Sequence, residues 1–553
     1  MNVKQFLALR HALVTVVICA ATSAGEHRAL ADKATGTGLV ARGLPNRAQA
    51  VCRQRRIILN DDNGSLLQEE AATAAGYLGY RLTYTVDSQV DSIWLSVTHG
   101  PETLAYDAQF GEPVGKEFYE AYPPTAQPQA DIPWGANYTN LWHRIKSLRD
   151  AGAEPLKLAV DFGHEHGKEV FGSIRMNAIQ DSWHGPDFSM KFKREHPEYC
   201  LEVRGTYPET DRRYLYWSAL DYAHKPVRDL RVGMIEELGT RYDVDGIELD
   251  FFRWPMLFKP SLDDKPVEAR HIEIMTDFFR RIRKRMMEIE VQRKRPFLLA
   301  ARVFDSPELC LKLGLDVSTL LREGLIDILV VGSDYNHYSI PAVHWIEKAH
   351  RNNVLFYIGF YRSRGLEQDR ALASYYHSCG VDGIYTFNFK FPPSLVGRKE
   401  GGKFFNCVPV IQEIGDPGLI ATRDKHYVMS GSGSSSRDHA SVPGIVPLSL
   451  KANTSRQCML IGDEVEKAQS AGLLKELKLT LSLDRALTAR DKITFKLNDT
   501  ALSDPQWVEN DVTFQLTAPP LKKGANRLAA DFGAGALHSE IGVTRIQLWV
   551  RYH

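Results

Sequence analysis

A chain of 553 residues with 44% hydrophobic and 25% charged side chains has the make-up of a folded globular protein, and it is too long for one compact core, so more than one domain is expected. Lys and Arg total 68 and Asp and Glu total 68, a formal net charge of zero. That removes the general electrostatic case for nucleic acid or an anionic membrane surface as partner.

Lys4, Arg10 and His11 precede the apolar run 12–21, which is too short to cross a bilayer. Small residues follow, including Ala29-Leu30-Ala31, so residues 1–31 read as an export signal. A secreted or periplasmic protein is expected, and no later stretch reads as a membrane span. Six scattered cysteines follow the signal without any Cys-x-x-Cys. They read as isolated buried thiols rather than a zinc site.

Short apolar runs then alternate with helical stretches, the pattern of repeated βα units. The predicted strands are 56–60, 92–98, 170–176, 246–251, 297–304, 326–331, 354–360 and 383–388. Eight such strands predict a TIM barrel over residues 55–415. No Gly-x-Gly-x-x-Gly follows the first strand, so a dinucleotide cofactor is not indicated. Long segments rich in aromatics, holding Tyr106, Trp134 and Trp142 and then Tyr207, Tyr216 and Trp217, are expected to shape a cleft. His164-Glu165-His166-Gly167 resembles a metal motif, but it closes a helix before the third strand, and no metal site is expected.

Val244-Asp245-Gly246-Ile247 recurs as Val381-Asp382-Gly383-Ile384. Both copies stand at the foot of a strand, where Asp245 and Asp382 are expected to cap turns. The run 280–285, with five cations, reads as the solvated face of a helix. Residues 416–440, which include Ser-Gly-Ser-Gly-Ser-Ser-Ser, read as a linker, and 441–553 as an accessory β-sandwich.

The fourth predicted strand carries the chemistry. Alternate residues of a strand share a face, so Ile247, Leu249 and Phe251 would meet the helices while Gly246, Glu248 and Asp250 point into the barrel. Arg175 and Asn177 on the third strand and Arg302 on the fifth join them in the lumen. Barrels built only for stability fill those layers with Val, Ile and Leu. Glu248 is expected to pair with Arg175, leaving Asp250, nearer the mouth, free to react.

Two carboxyl groups across a glycosidic bond suffice to hydrolyse it. Asp250 is the candidate nucleophile or base, and Glu248 is a further catalytic candidate. The acid is sought at another strand end, in the order Asp334, Asp305, Asp181. Arg253, Tyr335, His337, Tyr361 and Asn388 are candidate sugar contacts alongside Arg175, Asn177 and Arg302.

The segments Gly172-Ser173-Ile174-Arg175-Met176-Asn177, Trp217-Ser218-Ala219-Leu220-Asp221-Tyr222 and Tyr242 through Arg253 resemble the glycosyl hydrolase-like family ten proteins, which are secreted TIM barrels often followed by a β-sandwich. The resemblance spans roughly residues 160–390 and implies action on poly- or oligosaccharides. The fourth strand also resembles chitinase-type barrels, but Phe252 stands where their acidic residue would be. An aspartate on strand four with one after strand six looks more like the α-galactosidase arrangement. The sequence therefore leads to a secreted glycoside hydrolase without a cofactor. A non-catalytic carbohydrate-binding barrel is the alternative, and an assembly protein led by its sandwich is a third.

Overall fold

In the computed structural model the chain forms a closed barrel of eight parallel strands followed by two antiparallel sheets. The structure describes residues 44, 46–62, 69–99, 103–106, 108–111, 135–179, 181–184, 190–252, 254–332, 338–361, 363–389, 407–431, 441–488, 491–516, 520–534 and 536–553. The export signal, Trp134 and most of the Gly/Ser stretch lie outside them. Among the described residues no helix is long and apolar enough to cross a membrane, and the six described cysteines are free thiols.

The barrel strands are β1 (Ile57–Asp61), β2 (Val90–Ser96), β3 (Glu169–Arg175), β4 (Gly246–Asp250), β5 (Leu298–Val303), β6 (Ile328–Val331), β7 (Leu355–Tyr361) and β8 (Gly383–Phe387). Each overlaps one predicted strand, and they close in sequence order, β1 pairing with both β2 and β8. Around them stand helices that include α1 (Pro155–Glu165), α2 (Lys225–Arg241), α3 (Ala269–Arg293), α4 (Ala342–Arg351) and α5 (Leu366–Cys379).

Alternation along β4 sorts its side chains as the sequence predicts. Ile247, Leu249 and Phe251 join the core shared with the helices, and Phe251 stacks on Phe279 of α3 at 5.6 Å between ring centroids. Inside the barrel, Ile58, Trp94, Phe171, Leu298, Ile328 and Leu355 form a separate apolar plug, with Trp94 stacked on Phe171 at 4.8 Å.

Gly246 is needed where that plug is tightest. A Cβ there would lie 2.3 Å from the Phe171 ring and 2.5 Å from the Leu298 carbonyl oxygen. Gly246→Ala is therefore expected to cost about 1–3 kcal/mol through overpacking, seen as a lower urea midpoint. An unchanged midpoint would show that the Phe171 ring yields freely.

The foot of the barrel repeats one device four times. A backbone N–H at the start of each odd strand donates to an aspartate at the start of the following even strand: Arg56 to Asp91, Val170 to Asp245 and Leu299 to Asp327, each at 2.8 Å, and Phe356 to Asp382 at 2.7 Å. Each aspartate also meets basic side chains. Asp91 meets Arg56, Asp245 meets His164 and Arg295, Asp327 meets Arg47 and Arg283, and Asp382 meets His350. The Val-Asp-Gly-Ile echo is half of this fourfold pattern. His164 thus serves a turn at the end of α1, and Gly167, at φ +68°, ends the helix in the left-handed region.

The basic run on α3 divides. Arg280, Arg281 and Arg285 lie on the outer face in ion pairs with Glu323, Asp229 and Glu236. Arg283 departs from the solvated face expected of it: it is buried and reaches Asp327 at 2.9 Å.

The described aromatics of these segments pack locally. Tyr106 is buried with its hydroxyl donating to Glu237 of α2, and Trp142 is buried. Tyr216 meets Trp254 edge-on at 6.2 Å, and Arg213 covers the Tyr207 ring at 4.0 Å.

The β-sandwich comprises β9 (Lys425–Ser430), β10 (Leu448–Lys451), β11 (Ser455–Ile461), β12 (Leu474–Leu483), β13 (Ile493–Leu497), β14 (Thr500–Ala501), β15 (Gln506–Val508), β16 (Asp511–Gln515), β17 (Gly524–Phe532) and β18 (Glu540–Tyr552). One sheet runs β9–β18–β12–β16–β15 with β10 also on β18, and the other β11–β17–β13–β14. The sequence places 425–430 in the linker, whereas β9 pairs antiparallel with β18 along its whole length.

This sheet leans on the barrel. A Cβ on Gly462 would sit 2.2 Å from the Ser374 backbone of α5, and Arg551 pairs with Glu367 at the start of that helix.

Candidate active site

The C-terminal end of a barrel is where catalytic residues are sought. There the register sets Asp250 of β4 between Arg175 of β3 and Arg302 of β5, and Glu248 one layer deeper between Ser173 and Ala300. Positive and negative charges therefore alternate across three adjacent strands. Asp250 Oδ1 accepts from the Phe252 N–H at 3.0 Å, and Oδ2 lies 3.6 Å from Arg302 Nη1.

Arg302 is held as firmly as its partner. Its guanidinium faces the rings of Phe252, Tyr385 and Phe387 at 5.2, 5.2 and 4.8 Å, and Nη2 donates to the Gly332 carbonyl at 3.3 Å. Burial disfavours its charge, but the Asp250 carboxylate more than restores it.

Two expectations about the acids are corrected. Glu248 does not pair with Arg175; its Oε2 accepts from Asn60 Nδ2 of β1 at 2.9 Å, straight across the lumen. Arg175 instead lies 3.6 Å from Asp62 Oδ2. Nor is the pair open at the rim: Asp250 is 1% exposed and Glu248 fully buried.

Burial first, and then the Asp250 charge, push the Glu248 carboxyl well above the usual carboxylate range. The Ser173 and Tyr385 hydroxyls and Arg302 pull the other way without overcoming this. The Tyr385 hydroxyl acts on the charge at short range yet lacks hydrogen-bonding geometry. It and Glu248 Oε1, with Asn60 Oδ1 and Arg302 Nε, have no hydrogen-bond partner among the described residues.

The sign of the resulting pH effect is set. A carboxyl raised on folding contributes stability that is complete below its ordinary value of 4.5 and is lost as pH rises through the folded value. Glu248→Gln removes that titration while keeping the shape. Its urea midpoint relative to the native chain is expected to climb between about pH 5 and about pH 9. A difference that stays flat with pH would mean Glu248 is ionised throughout.

The remaining predicted site residues are dispersed. Asn388, at the end of β8, donates Nδ2 to Asp62 Oδ2 at 2.8 Å and accepts from the Asp62 N–H at 3.3 Å. Tyr361 stacks on Phe387 at 5.5 Å. Asn177 is turned into the backbone, accepting from Leu220 N–H and donating to the Leu220 and Met256 carbonyls.

Asp305 Oδ2 accepts from Val442 N–H of the sandwich at 3.1 Å. Asp181 accepts from the Ser218 hydroxyl at 2.7 Å. Arg253, Asp334, Tyr335 and His337 lie outside the described residues.

Four lumen residues were not singled out from sequence: Asn60, Asp62, Tyr385 and Phe387. Positions 58, 60 and 62 continue the inward alternation of β1, so extending the predicted strand by two residues would have found Asp62.

Among the described residues no group of His, Cys, Asp and Glu is arranged to hold a metal. No protein-family model matches this sequence, and no curated protein matches it. Among solved structures it is similar to α-L-fucosidase isoenzyme 2 from Paenibacillus thiaminolyticus, with a TM-score of 0.36 and 15% identity over 66% of this chain and 49% of that one. It is similar to a cycloisomaltooligosaccharide glucanotransferase from Paenibacillus sp. at 0.31 and 8% identity, over 89% and 57%. It is also similar to the PgaB (BpsB) glycoside hydrolase domain from Bordetella bronchiseptica at 0.39 and 11% identity, over 66% and 99%. The chain thus spans about half the length of the fucosidase and 57% of the glucanotransferase.

Proposed function

We propose that this protein is an exported glycoside hydrolase that cleaves O-glycosidic bonds of a poly- or oligosaccharide at the C-terminal mouth of its barrel. The observation that carries the reading is the layer of charge and unfilled hydrogen-bonding capacity on four lumen strands. Asp250, Glu248, Arg302 and Asn60 occupy positions that a purely structural barrel gives to aliphatic side chains. Three of them, with Tyr385, hold buried polar atoms that have no partner among the described residues. Leaving such groups unpaired is costly, and a hydroxyl-rich ligand answers both donors and acceptors.

In this reading Asp250 is the nucleophile or the base. Arg302 and the Phe252 N–H fix its direction. Glu248, its carboxyl pushed up by burial, lies uncharged beneath it. Arg175, Tyr361 and Asn388, with Arg253, Tyr335 and His337, contact the sugar. Membership of the glycosyl hydrolase-like family ten group is part of the proposal and rests on the β3 and β4 motifs.

A second reading, a carbohydrate-binding barrel without catalysis, is favoured by one observation: the acids are enclosed and Asp250 already has an arginine. Incubation of the whole protein with a panel of polysaccharides, followed by reducing-end release and by binding, separates the two. Release of new reducing ends from at least one polymer is expected. Binding with no release from any polymer would establish the second reading instead.

A further inference from the structure

The hydrolase reading needs a second carboxyl facing Asp250, and we infer that this is Asp62, acting as the proton donor. The inference rests on that reading and on three observations.

The first is the Asn60–Glu248 hydrogen bond, which fixes β1 and β4 opposite one another at one level of the lumen. Two residues further along each strand, on the same inward face, stand Asp62 and Asp250. In the lower layer an Asn reaches a Glu at 2.9 Å. In the upper layer an Asp faces an Asp, one methylene shorter, so the gap there is wider than in the layer below, in the direction a glycosidase carboxyl pair requires.

The second is Arg175. Its Cα is in register with Asp250 on the adjacent strand, and its Nη2 lies 3.6 Å from Asp62. One guanidinium therefore spans from the strand beside one carboxyl to the other carboxyl. The third is the Asp62–Asn388 exchange of two hydrogen bonds, with Asn388 held at φ +58°, in the left-handed region. Non-glycine residues there are uncommon and cluster at functional sites.

The division of roles follows from setting. Asp250 is 1% exposed, accepts from a backbone N–H and lies 3.6 Å from the Arg302 guanidinium. The Asp62 side chain also has an arginine at 3.6 Å and accepts from the Asn388 amide at 2.8 Å, but it is 18% exposed. A donor must be recharged from solvent at every turnover, and Asp62 is the one with access.

In the reaction the bond from the anomeric carbon to the glycosidic oxygen breaks with both electrons staying on oxygen. That oxygen takes the Asp62 proton, and the leaving sugar departs as an alcohol. Asp250 either removes a proton from the attacking water or bonds the anomeric carbon and is released by water, which returns a proton to Asp62. One water is consumed either way.

The test uses the whole protein, the polysaccharide it cleaves, and dinitrophenyl glycosides of the same sugar, whose leaving group needs no proton. Asp62→Asn is expected to slow polysaccharide cleavage about a hundredfold or more, to leave cleavage of the dinitrophenyl glycoside near the native rate, and to remove the alkaline limb of the pH profile. Where Asp250 is the nucleophile, Asp62→Ala with added azide and the dinitrophenyl glycoside supplies a second readout, faster turnover with a glycosyl azide product from attack of azide on the glycosyl-enzyme.

Equal losses on both substrates in a variant that melts like the native chain would overturn the inference. So would native cleavage of the polysaccharide, or the leaving-group signature appearing in Asp334→Asn instead. In each of those cases a native enzyme that is active and is inactivated by Asp250→Asn leaves the hydrolase reading standing. A native protein that cleaves nothing on the panel removes both.

Discussion

Asp250→Asn is expected to lower turnover on the cleaved polysaccharide about a thousandfold, the scale set by losing a positioned base or nucleophile. It is also expected to destabilise the fold by about 3–5 kcal/mol, because Arg302 is left as a buried cation without its counter-charge. The amide still accepts from the Phe252 N–H, so the local turn persists. The two losses are separable. Adding Arg302→Met to Asp250→Asn removes the stranded cation and should return most of the stability, since buried ion pairs replaced as a pair cost little.

Activity, in contrast, should not return. A double-mutant cycle read by urea unfolding and by turnover gives coupling in the first measurement and little in the second. Full recovery of turnover in the double variant would show that Asp250 serves only to neutralise Arg302, and the nucleophile or base would then have to be another residue of the barrel.

The second large effect lies at the opposite face. Asp327 takes bonds from Arg47 Nη2 at 2.7 Å, Arg283 Nη1 at 2.9 Å and the Leu299 N–H at 2.8 Å. Burial opposes its charge, but Arg283 and Arg47 prevail and hold its carboxyl well below the usual range. Asp327→Ala strands the buried Arg283 guanidinium, leaves Arg47 with Glu290 as its one remaining carboxylate, and is expected to cost about 3–5 kcal/mol.

The pH dependence has the opposite sign to that of Glu248. A depressed carboxyl contributes stability that is present above its unfolded value of 3.8 and is lost as pH falls through the folded value. Acid unfolding of the native chain should therefore steepen below about pH 4, and Asp327→Ala should flatten that limb. An unfolding midpoint for the variant within about 0.5 kcal/mol of native would mean that Arg47 and Arg283 find other partners.

How much of this was legible in the sequence depends on the range of the interaction. Strand β4 was readable residue by residue because its period is local, and the same holds for the repeated aspartates at the foot. The end of β1 was not: Asn60-Asp61-Asp62 carries the composition of a turn, and only closure of the sheet makes its last two positions meet Arg81 and Arg175. Partners of Arg175 and Glu248 come from strands that are distant in sequence, so local spacing could place the charges in the lumen without pairing them. Asn177 lies on the inward side by count, yet it sits past the end of β3, where loose backbone groups of the 220 and 256 segments claim its amide. The enclosure of the acids is likewise a tertiary outcome.

Strand β9 precedes the Gly/Ser stretch, yet it forms one edge of the sheet whose neighbouring strand is the last in the chain. The accessory unit is thus not a cassette that can be snipped off at the Gly/Ser stretch. Excision there would leave the barrel half carrying a lone ribbon of unmet amides and carbonyls, an adhesive seam prone to recruit other chains. The two halves are stitched by that thread, and they should be inherited, expressed and lost together.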